Sequence, residues 1–297
     1  MEFDTIKEFK TSNADGSKES YAWTEGMREF MERMRFKAAQ IGMTSSVFVN
    51  PYGGEAFGYN TTTCTDLLRL GIHAYSYRCI MDVLSTKGTA NLHVYGPNDR
   101  DIAISFDFQK DFDDAYMRVH GAGENPHIIY GGKGGGWGSG EHKAFAYLGY
   151  CRVKDRNILA VTSNVSADRS VGRLYRKNAI IEVLDICERK LNGESIEGMT
   201  VKYADYAAAA FLPDDIPSVL LKNRPIDILF SQGADVPFNP ASTTKVLMAI
   251  TASDICPGNQ ELYQILDEDI CNDSVFYYAY PGDIESIETG MYPILIS

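Results

Sequence analysis

A hydroxyl and an amine stand three residues apart in the stretch PFNPASTTKVLMAI, residues 237–250. The apolar run after Pro240 is typical of a helix, which would place Ser242 and Lys245 on one face, about one turn apart. A lysine whose pKa is lowered by burial or by neighbouring cations can take the proton of such a serine and make it a nucleophile. The ordinary alternative is a serine that caps the helix beside a solvated lysine. These four residues alone do not decide between the two.

A glycine-rich stretch, YGGKGGGWGSGEHK at residues 130–143, offers a second candidate, Lys133. A phosphate-binding P-loop needs its lysine after the glycines and before a helix, whereas here the lysine precedes most of the glycines and a strand follows. Two interpretations stay open. The stretch is either a simple hairpin loop or a strand edge on which Lys133 binds a substrate carboxylate and a nearby N–H stabilises an oxyanion.

Helices are predicted towards both ends of the chain and once in the middle. Residues 24–43 carry apolar side chains at helical spacing between a capping Thr24 and Gly42. We predict one capped helix over 61–84, a long amphipathic helix over 170–191 that ends at Asn192-Gly193, and a further helix after Pro240.

Strands are predicted for the middle of the chain, where aromatic and β-branched residues alternate with turn signals. These segments are 91–96, 101–108, 143–154 and 157–165, followed by a strand pair formed by 217–223 and 226–232. Helical segments thus lie towards both chain ends and strands in the middle, which indicates a mixed α/β (α+β) fold class.

Composition limits the function classes. The chain has 297 residues, of which 44% are hydrophobic, enough for one large domain or two closely packed ones. A net charge of -12 argues against a nucleic-acid partner and against adhesion to anionic membranes. Six scattered cysteines without a CxxC pair make a metal site unexpected. We see no signal peptide and no apolar run of transmembrane length.

Several segments resemble the serine-type D-alanyl-D-alanine carboxypeptidases, the low-molecular-weight penicillin-binding proteins, which share a fold with the serine β-lactamases. NPASTTKVLMAI resembles the active-site helix of that family, which carries its SxxK motif. Residues 30–54 resemble a helix followed by the family's FxNPxG turn, and GGKGGG with residues 149–165 resembles the KTG strand and its partners. Residues 219–243 resemble the hairpin before the nucleophile, and residues 277–296 the approach to an SxN motif. The resemblance covers most of the chain.

The order of these motifs differs from the family's, in which SxxK comes first, then SxN, then KTG. Here the KTG-like strand precedes SxxK, which is the pattern of a circular permutation. The resemblance implies a β-lactamase/transpeptidase-like fold, which is an antiparallel sheet flanked by helices plus a helical subdomain. The expected division is a helical subdomain at 1–90, a sheet subdomain at 91–236, and the nucleophile helix with more of the helical subdomain at 237–297. Residues 192–215 would be the new connection.

The resemblance also implies roles. Ser242 would be the acylated nucleophile and Lys245 its base. Lys133 would bind the substrate's terminal carboxylate and tune Lys245. Thr11 and Asn13 would stand for Ser-x-Asn on the opposite wall, relaying a proton and holding the substrate amide.

The KTG triplet is altered in this chain. It has become Lys133-Gly134-Gly135, which removes the hydroxyl that would contact the carboxylate. Gly134, Gly135 and Gly136 would line the substrate and oxyanion site, with the N–H groups of Ser242 and Gly136 forming the oxyanion hole.

The expected function is thus a serine DD-peptidase that cleaves D-Ala-D-Ala peptides of peptidoglycan through an acyl-enzyme and binds β-lactams such as penicillin. No cofactor is expected, and the location implied by the family is the cell envelope or outside the cell. Two alternatives stay open. One is a catalytically impaired member that binds peptidoglycan or a partner, which the changes at Thr11 and Gly134 favour. The other is a β-lactamase-like hydrolase, for which no Glu stands in a recognisable setting.

Overall fold

The structure is a computed structural model that describes residues 9–12, 18–21, 25–54, 58–97, 99–137, 143–213, 225–256, 262–266 and 280–296. Its helices are α1 (Glu25–Gln40), α2 (Cys64–Ala74), α3 (Arg78–Leu84), α4 (Phe108–His120), α5 (Arg169–Leu191), α6 (Thr244–Ile255) and α7 (Ile287–Ile296). Its strands are β1 (Phe9–Ser12), β2 (Lys18–Tyr21), β3 (Gly88–Val94), β4 (Arg100–Phe106), β5 (Ile128–Trp137), β6 (Ala144–Val153), β7 (Arg156–Asn164), β8 (Tyr206–Phe211), β9 (Ile228–Gln232), β10 (Leu262–Gln264) and β11 (Ile284–Ser286). The mixed α and β class with antiparallel sheets is as predicted.

The main sheet has five antiparallel strands in the order β5-β6-β7-β8-β9. This order corrects one sequence prediction, because β8 lies inside the segment 192–215 that is expected to be a connection. The alanines of β8 pair with β7 on one side and with β9 on the other. The predicted strand at 217–223 lies outside the described residues. The glycine-rich strand β5 is an edge of this sheet.

Helices cover both faces of the sheet, and the alternation of side chains along its strands explains why. On β6, Leu148 and Tyr150 point into a core shared with α1, α2, α3, α6 and α7, while Tyr147 and Cys151 point into a second core with α4 and α5. Small residues let the helices approach closely. A Cβ on Gly172 of α5 would lie 2.0 Å from the ring of Phe145.

The predicted helices at 24–43 and 170–191 are confirmed as α1 and α5. The single helix predicted over 61–84 is wrong, since it breaks into α2 and α3 at residues 75–77. Tertiary contacts account for the break: Tyr75 stacks on Tyr150 at 5.9 Å, and the Tyr77 hydroxyl donates to Asp254 at 2.6 Å. Helix α4 was not predicted.

Segments distant in the chain meet in the smaller sheets and in the helix packing. Strands β3 and β4 form a hairpin that is joined to the segment of β11 through the bridge between Tyr95 and Ile284. Helix α6 packs on α1 and α7 packs on α3. The division into 1–90, 91–236 and 237–297 stays a prediction. No helix in the described ranges is long and apolar enough to span a membrane.

Candidate functional site

Ser242 lies in a short 3-10 turn, Ala241–Thr243, that leads into α6. The residue at the N-cap position of α6 is Thr243, so the ordinary interpretation of Ser242 as the helix cap is not what the structure shows. Ser242 and Lys245 are partly exposed, while the residues between them are buried. The predicted placement of this pair at a helix start is confirmed.

The turn holds Ala241 in a strained conformation. Ala241 has φ 46, in the left-handed region that costs a residue with a Cβ about 1–2 kcal/mol. Its N–H donates to Asn239 Oδ1 at 2.8 Å, and Thr243 Oγ1 donates to Pro240 O at 2.7 Å. Strained residues that the surrounding structure fixes are concentrated at functional sites. The strain at Ala241 therefore marks the Ser242 turn as a candidate site.

The FxNPxG-like turn supports the Ser242 turn from the side. Gly53 has φ +84, and a Cβ there would lie 1.8 Å from Ala241 O, so only glycine fits. Asn50 Oδ1 accepts from the N–H of Gly53 at 2.6 Å. Asn60 Oδ1 accepts from the N–H of Asn50 at 3.1 Å, and Asn60 Nδ2 donates to Thr244 Oγ1 at 3.2 Å, which ties the turn to the first residue of α6.

Strand β5 runs directly beside the Ser242 turn. A Cβ on Gly135 would lie 2.5 Å from Pro240 O and 3.1 Å from Ser242 N. The two backbones can approach this closely only because residue 135 lacks a side chain. Gly136, the next residue, is exposed. The glycine-rich stretch forms an edge strand over Ile128–Trp137, and residues 138–142 lie outside the described part. Carboxylate binding by Lys133 and oxyanion stabilisation at this strand stay predictions.

Lys133 is buried at the junction between β5 and the Ser242 turn, with 2% of its surface exposed. Its Nζ donates to Gly134 O at 3.1 Å. Burial, followed by the charges of Lys245 and Arg176, holds the pKa of Lys133 well below its usual range. Burial also lowers the pKa of Lys245. The charge of Lys245 thus acts on Lys133, and burial favours the neutral form of both amines.

The face of β5 on which a side chain of residue 134 would stand is directed towards α5. Because side chains alternate along a strand, Lys133 and Gly135 point towards the Ser242 turn while Gly134 points towards α5. A Cβ on Gly134 would lie 2.7 Å from the guanidinium carbon of Arg176. Arg176 Nη1 donates to Gly135 O at 2.8 Å. Sequence reasoning missed Arg176, although a glycine in place of the expected hydroxyl residue was a sign that another side chain fills that space.

An aromatic pair lies at the end of β5. Trp137 follows Lys133 and Gly135 on the same face of the strand, and its ring meets Tyr59 edge-on with centroids 6.3 Å apart. Trp137 Nε1 is buried and finds no hydrogen-bond acceptor within the described segments. The pair forms a wall at the Trp137 end of the junction.

Thr11 and Asn13 are the remaining predicted site residues. Thr11 lies in β1, opposite Glu19 of β2, and Asn13 lies outside the described residues. Their role on the wall facing Ser242 stays a prediction. Among the residues the structure covers, no group of His, Cys, Asp and Glu could hold a metal ion.

No family model matches this chain, and no curated protein and no solved structure matches it either.

Proposed function

We propose that this protein is a serine acyl-transfer enzyme of the DD-carboxypeptidase type, which cleaves D-Ala-D-Ala peptides of peptidoglycan through an acyl-enzyme on Ser242 and binds β-lactams. A permuted β-lactamase-like fold and a place in the cell envelope are parts of the proposal. The observation that carries it is the close approach of Gly135 to Ser242 N, 3.1 Å from a Cβ built on that glycine. Two motifs far apart in the chain meet there.

The order of strands supports the proposed fold. The KTG-like strand β5 is at one edge, with β6 and β7 as its partner and return strand. A hairpin of β8 and β9 follows, and the Ser242 turn comes directly after it. Strands β6 and β7 lie in the segments that the resemblance assigns to the partner and return strands, whereas β8 lies outside the segment 219–243 that it assigns to the hairpin.

The proposed acylation uses Lys245 as the base. Its amine, with a pKa lowered by burial, accepts the proton of Ser242 Oγ while the oxygen attacks the substrate carbonyl. The N–H groups of Ser242 and Gly136 stabilise the oxyanion. When the tetrahedral intermediate collapses, the carbonyl C–N bond breaks and the proton passes to the leaving nitrogen. Water then hydrolyses the ester and regenerates the serine. A β-lactam follows the same path, but its nitrogen stays attached through the opened ring.

The test is incubation with a fluorescent penicillin, followed by intact-mass measurement and peptide mapping. We expect an adduct of the full drug mass on Ser242, because ring opening releases no atoms. Ser242→Ala should abolish the adduct. Ser195→Ala, which changes an exposed serine after α5, should retain it. An adduct on another residue would contradict the proposed nucleophile.

One observation favours the second candidate function, a binding module without turnover. Gly134 lacks the hydroxyl expected in the triplet, and Lys133 is almost fully buried. If the folded wild-type protein forms no adduct at high drug concentration, the binding module replaces the enzyme as the better proposal.

A further inference from the structure

The outer face of α1 carries a row of side chains about one helical turn apart, Glu32, Phe36 and Gln40. Residues four apart on a helix form one ridge. Phe36 is 65% exposed, the largest exposed fraction among the large apolar side chains of the described ranges. Glu32 is exposed and Gln40 partly exposed, and neither forms a hydrogen bond or an ion pair with another described residue. The row therefore places an apolar ring between a free acceptor and a free donor.

A groove of about 490 Å³ opens beside this row, between α1 and the last turn of α6. Ile255, which is 41% exposed, forms an apolar part of its wall. Two of its charges are satisfied within one chain, because Lys37 pairs with Asp254, which also accepts from the Tyr77 hydroxyl at 2.6 Å. A small charged ligand would compete with these contacts, whereas an apolar ring would not.

We propose that a second copy of this chain docks on this face, with the two Phe36 rings meeting at a two-fold axis and each ring entering the groove of the other copy. A two-fold interface is self-complementary, since the same patch serves on both copies. An axis through Phe36 sets the two α1 helices antiparallel. Glu32 of one copy then lies opposite Gln40 of the other, because both residues are four positions from Phe36, and each dimer has two such pairs.

The symmetry and the charges of the row favour a second copy over an unrelated partner. An unrelated partner does not require an acceptor and a donor at equal distances from Phe36. Lys37 lies three residues before Gln40 and adds a positive charge near the Glu32 carboxylate of the other copy. The two Glu32 residues are kept roughly 12 Å apart along the helices, at 1.5 Å per residue. Few apolar side chains take part, so we expect a weak dimer, with a Kd of about 1–100 μM.

The inference does not depend on the proposed acyl-transfer function. Helix α6 begins just after Ser242 and ends at Ile255, about 16 Å further along its axis. The groove therefore lies at the other end of the helix from the Ser242 turn.

Sedimentation equilibrium of the full chain, at about 1–500 μM, tests the association. Wild type should follow a monomer–dimer equilibrium. Phe36→Asp should raise the Kd by at least about 30-fold, because it removes the central apolar contact and buries a carboxylate without a partner. Met117→Asp, at a position of α4 that is 45% exposed, is the matched control and should leave the Kd unchanged. Thermal melts should be the same for wild type and both variants.

Exchange of the two ends of the row tests the two-fold register. Gln40→Glu sets a carboxylate opposite Glu32 of the other copy and should raise the Kd by about 3- to 10-fold. Addition of Glu32→Gln places an amide opposite the new carboxylate and should restore the wild-type Kd. Damage to α1 by either substitution would add in the double variant and would not cancel.

Four results would overturn the inference: a monomer over the whole range, a dimer that Phe36→Asp does not weaken, equal weakening by Met117→Asp, or no recovery in the exchanged variant. Native mass spectrometry adds a fifth. A monomer that carries a small molecule, lost in Phe36→Asp, would make the groove a ligand site instead. Reaction of Ser242 with penicillin, measured in the same samples, tests the proposed function separately and should be equal in wild type and Phe36→Asp.

Discussion

Arg100 and Arg176 are two partly buried arginines with opposite surroundings. Arg100, at the start of β4, makes a bidentate pair with Asp283 at 3.0 and 2.8 Å, and its guanidinium lies 4.9 Å from the Tyr280 ring centroid. The carboxylate of Asp283 is fully buried and also accepts the N–H of Tyr280. The ion pair joins the β3–β4 hairpin to the described segment 280–296.

Arg176 instead lies beside other cations. Its guanidinium donates to a backbone carbonyl, leaves Nε without a partner among the described residues, and helps to lower the pKa of Lys133. Like charges brought together under burial destabilise a fold, and such arrangements are found where chemistry needs shifted pKa values. The Arg100–Asp283 ion pair therefore holds two segments of the fold together. The positive charges of Lys133, Lys245 and Arg176 instead mark the proposed site.

Lys245→Ala tests the cations of the proposed site and should have the largest effect of the variants. Loss of the base should lower the rate of Ser242 acylation by about 10²- to 10⁴-fold, the usual contribution of a positioned general base. Stopped-flow fluorescence with labelled penicillin measures it, and Lys87→Ala, at an exposed position, is the control. In wild type the rate should rise with pH to a plateau, because only the unprotonated amine accepts a proton, with a midpoint below the ordinary lysine value of 10.5. A loss of less than about 3-fold would remove Lys245 from the role of base.

Asp283→Ala tests the ion pair between Arg100 and Asp283. Removal of one partner leaves Arg100 uncompensated, and we expect the free energy of unfolding to fall by about 3–5 kcal/mol. Urea denaturation measures the change. Asp82→Ala breaks the exposed pair with Arg78 and should cost less than about 1 kcal/mol. Equal costs for the two variants would contradict the assembly role of the Arg100–Asp283 pair.

Lys133→Met should change the free energy of unfolding by the smallest amount and, unlike Asp283→Ala, should raise it. Replacement of a buried charge by an apolar side chain of similar volume should stabilise the protein at neutral pH by about 1–4 kcal/mol. Because the folded-state pKa of Lys133 is lowered, the unfolded state binds more protons, so wild-type stability should rise with pH towards the unfolded value of 10.5. The advantage of Lys133→Met should therefore shrink over the same range in thermal melts. Lys87→Met should show no such trend, and a destabilised Lys133→Met would mean that the lysine contributes packing or bonds that outweigh its burial.

Prediction from sequence succeeded where the signal is local. Helix α5 and strands β6 and β7 follow from the periodicity of their own residues. Helix α4 could have been found in the same way, since Asp107 caps its start and Gly121, with φ 79, ends it. Strand β8 could not, because YAAAAF has no strand periodicity and its alanines are explained only by the helices that pack on both faces of the sheet.

The candidate site divides in the same way. The spacing of Ser242 and Lys245 and the departure at Gly134 were visible in the sequence, and a glycine-rich strand edge was one of two predicted alternatives. The contribution of Arg176 was not visible, because its contact with β5 joins segments whose separation along the chain carries no periodic signal. The same holds for Gly53, whose need to be glycine arises from the carbonyl of Ala241.

The mixed α and β class, the main helices and strands, and the pairing of a serine with a lysine one turn away follow from the sequence alone, since all of these depend on residues close to one another in the chain. Three features required the folded chain: β5 lies against the Ser242 turn, Lys133 is buried there, and Arg176 fills the space at Gly134. Burial and proximity shift a pKa, and both are properties of segments that meet only when the chain has folded.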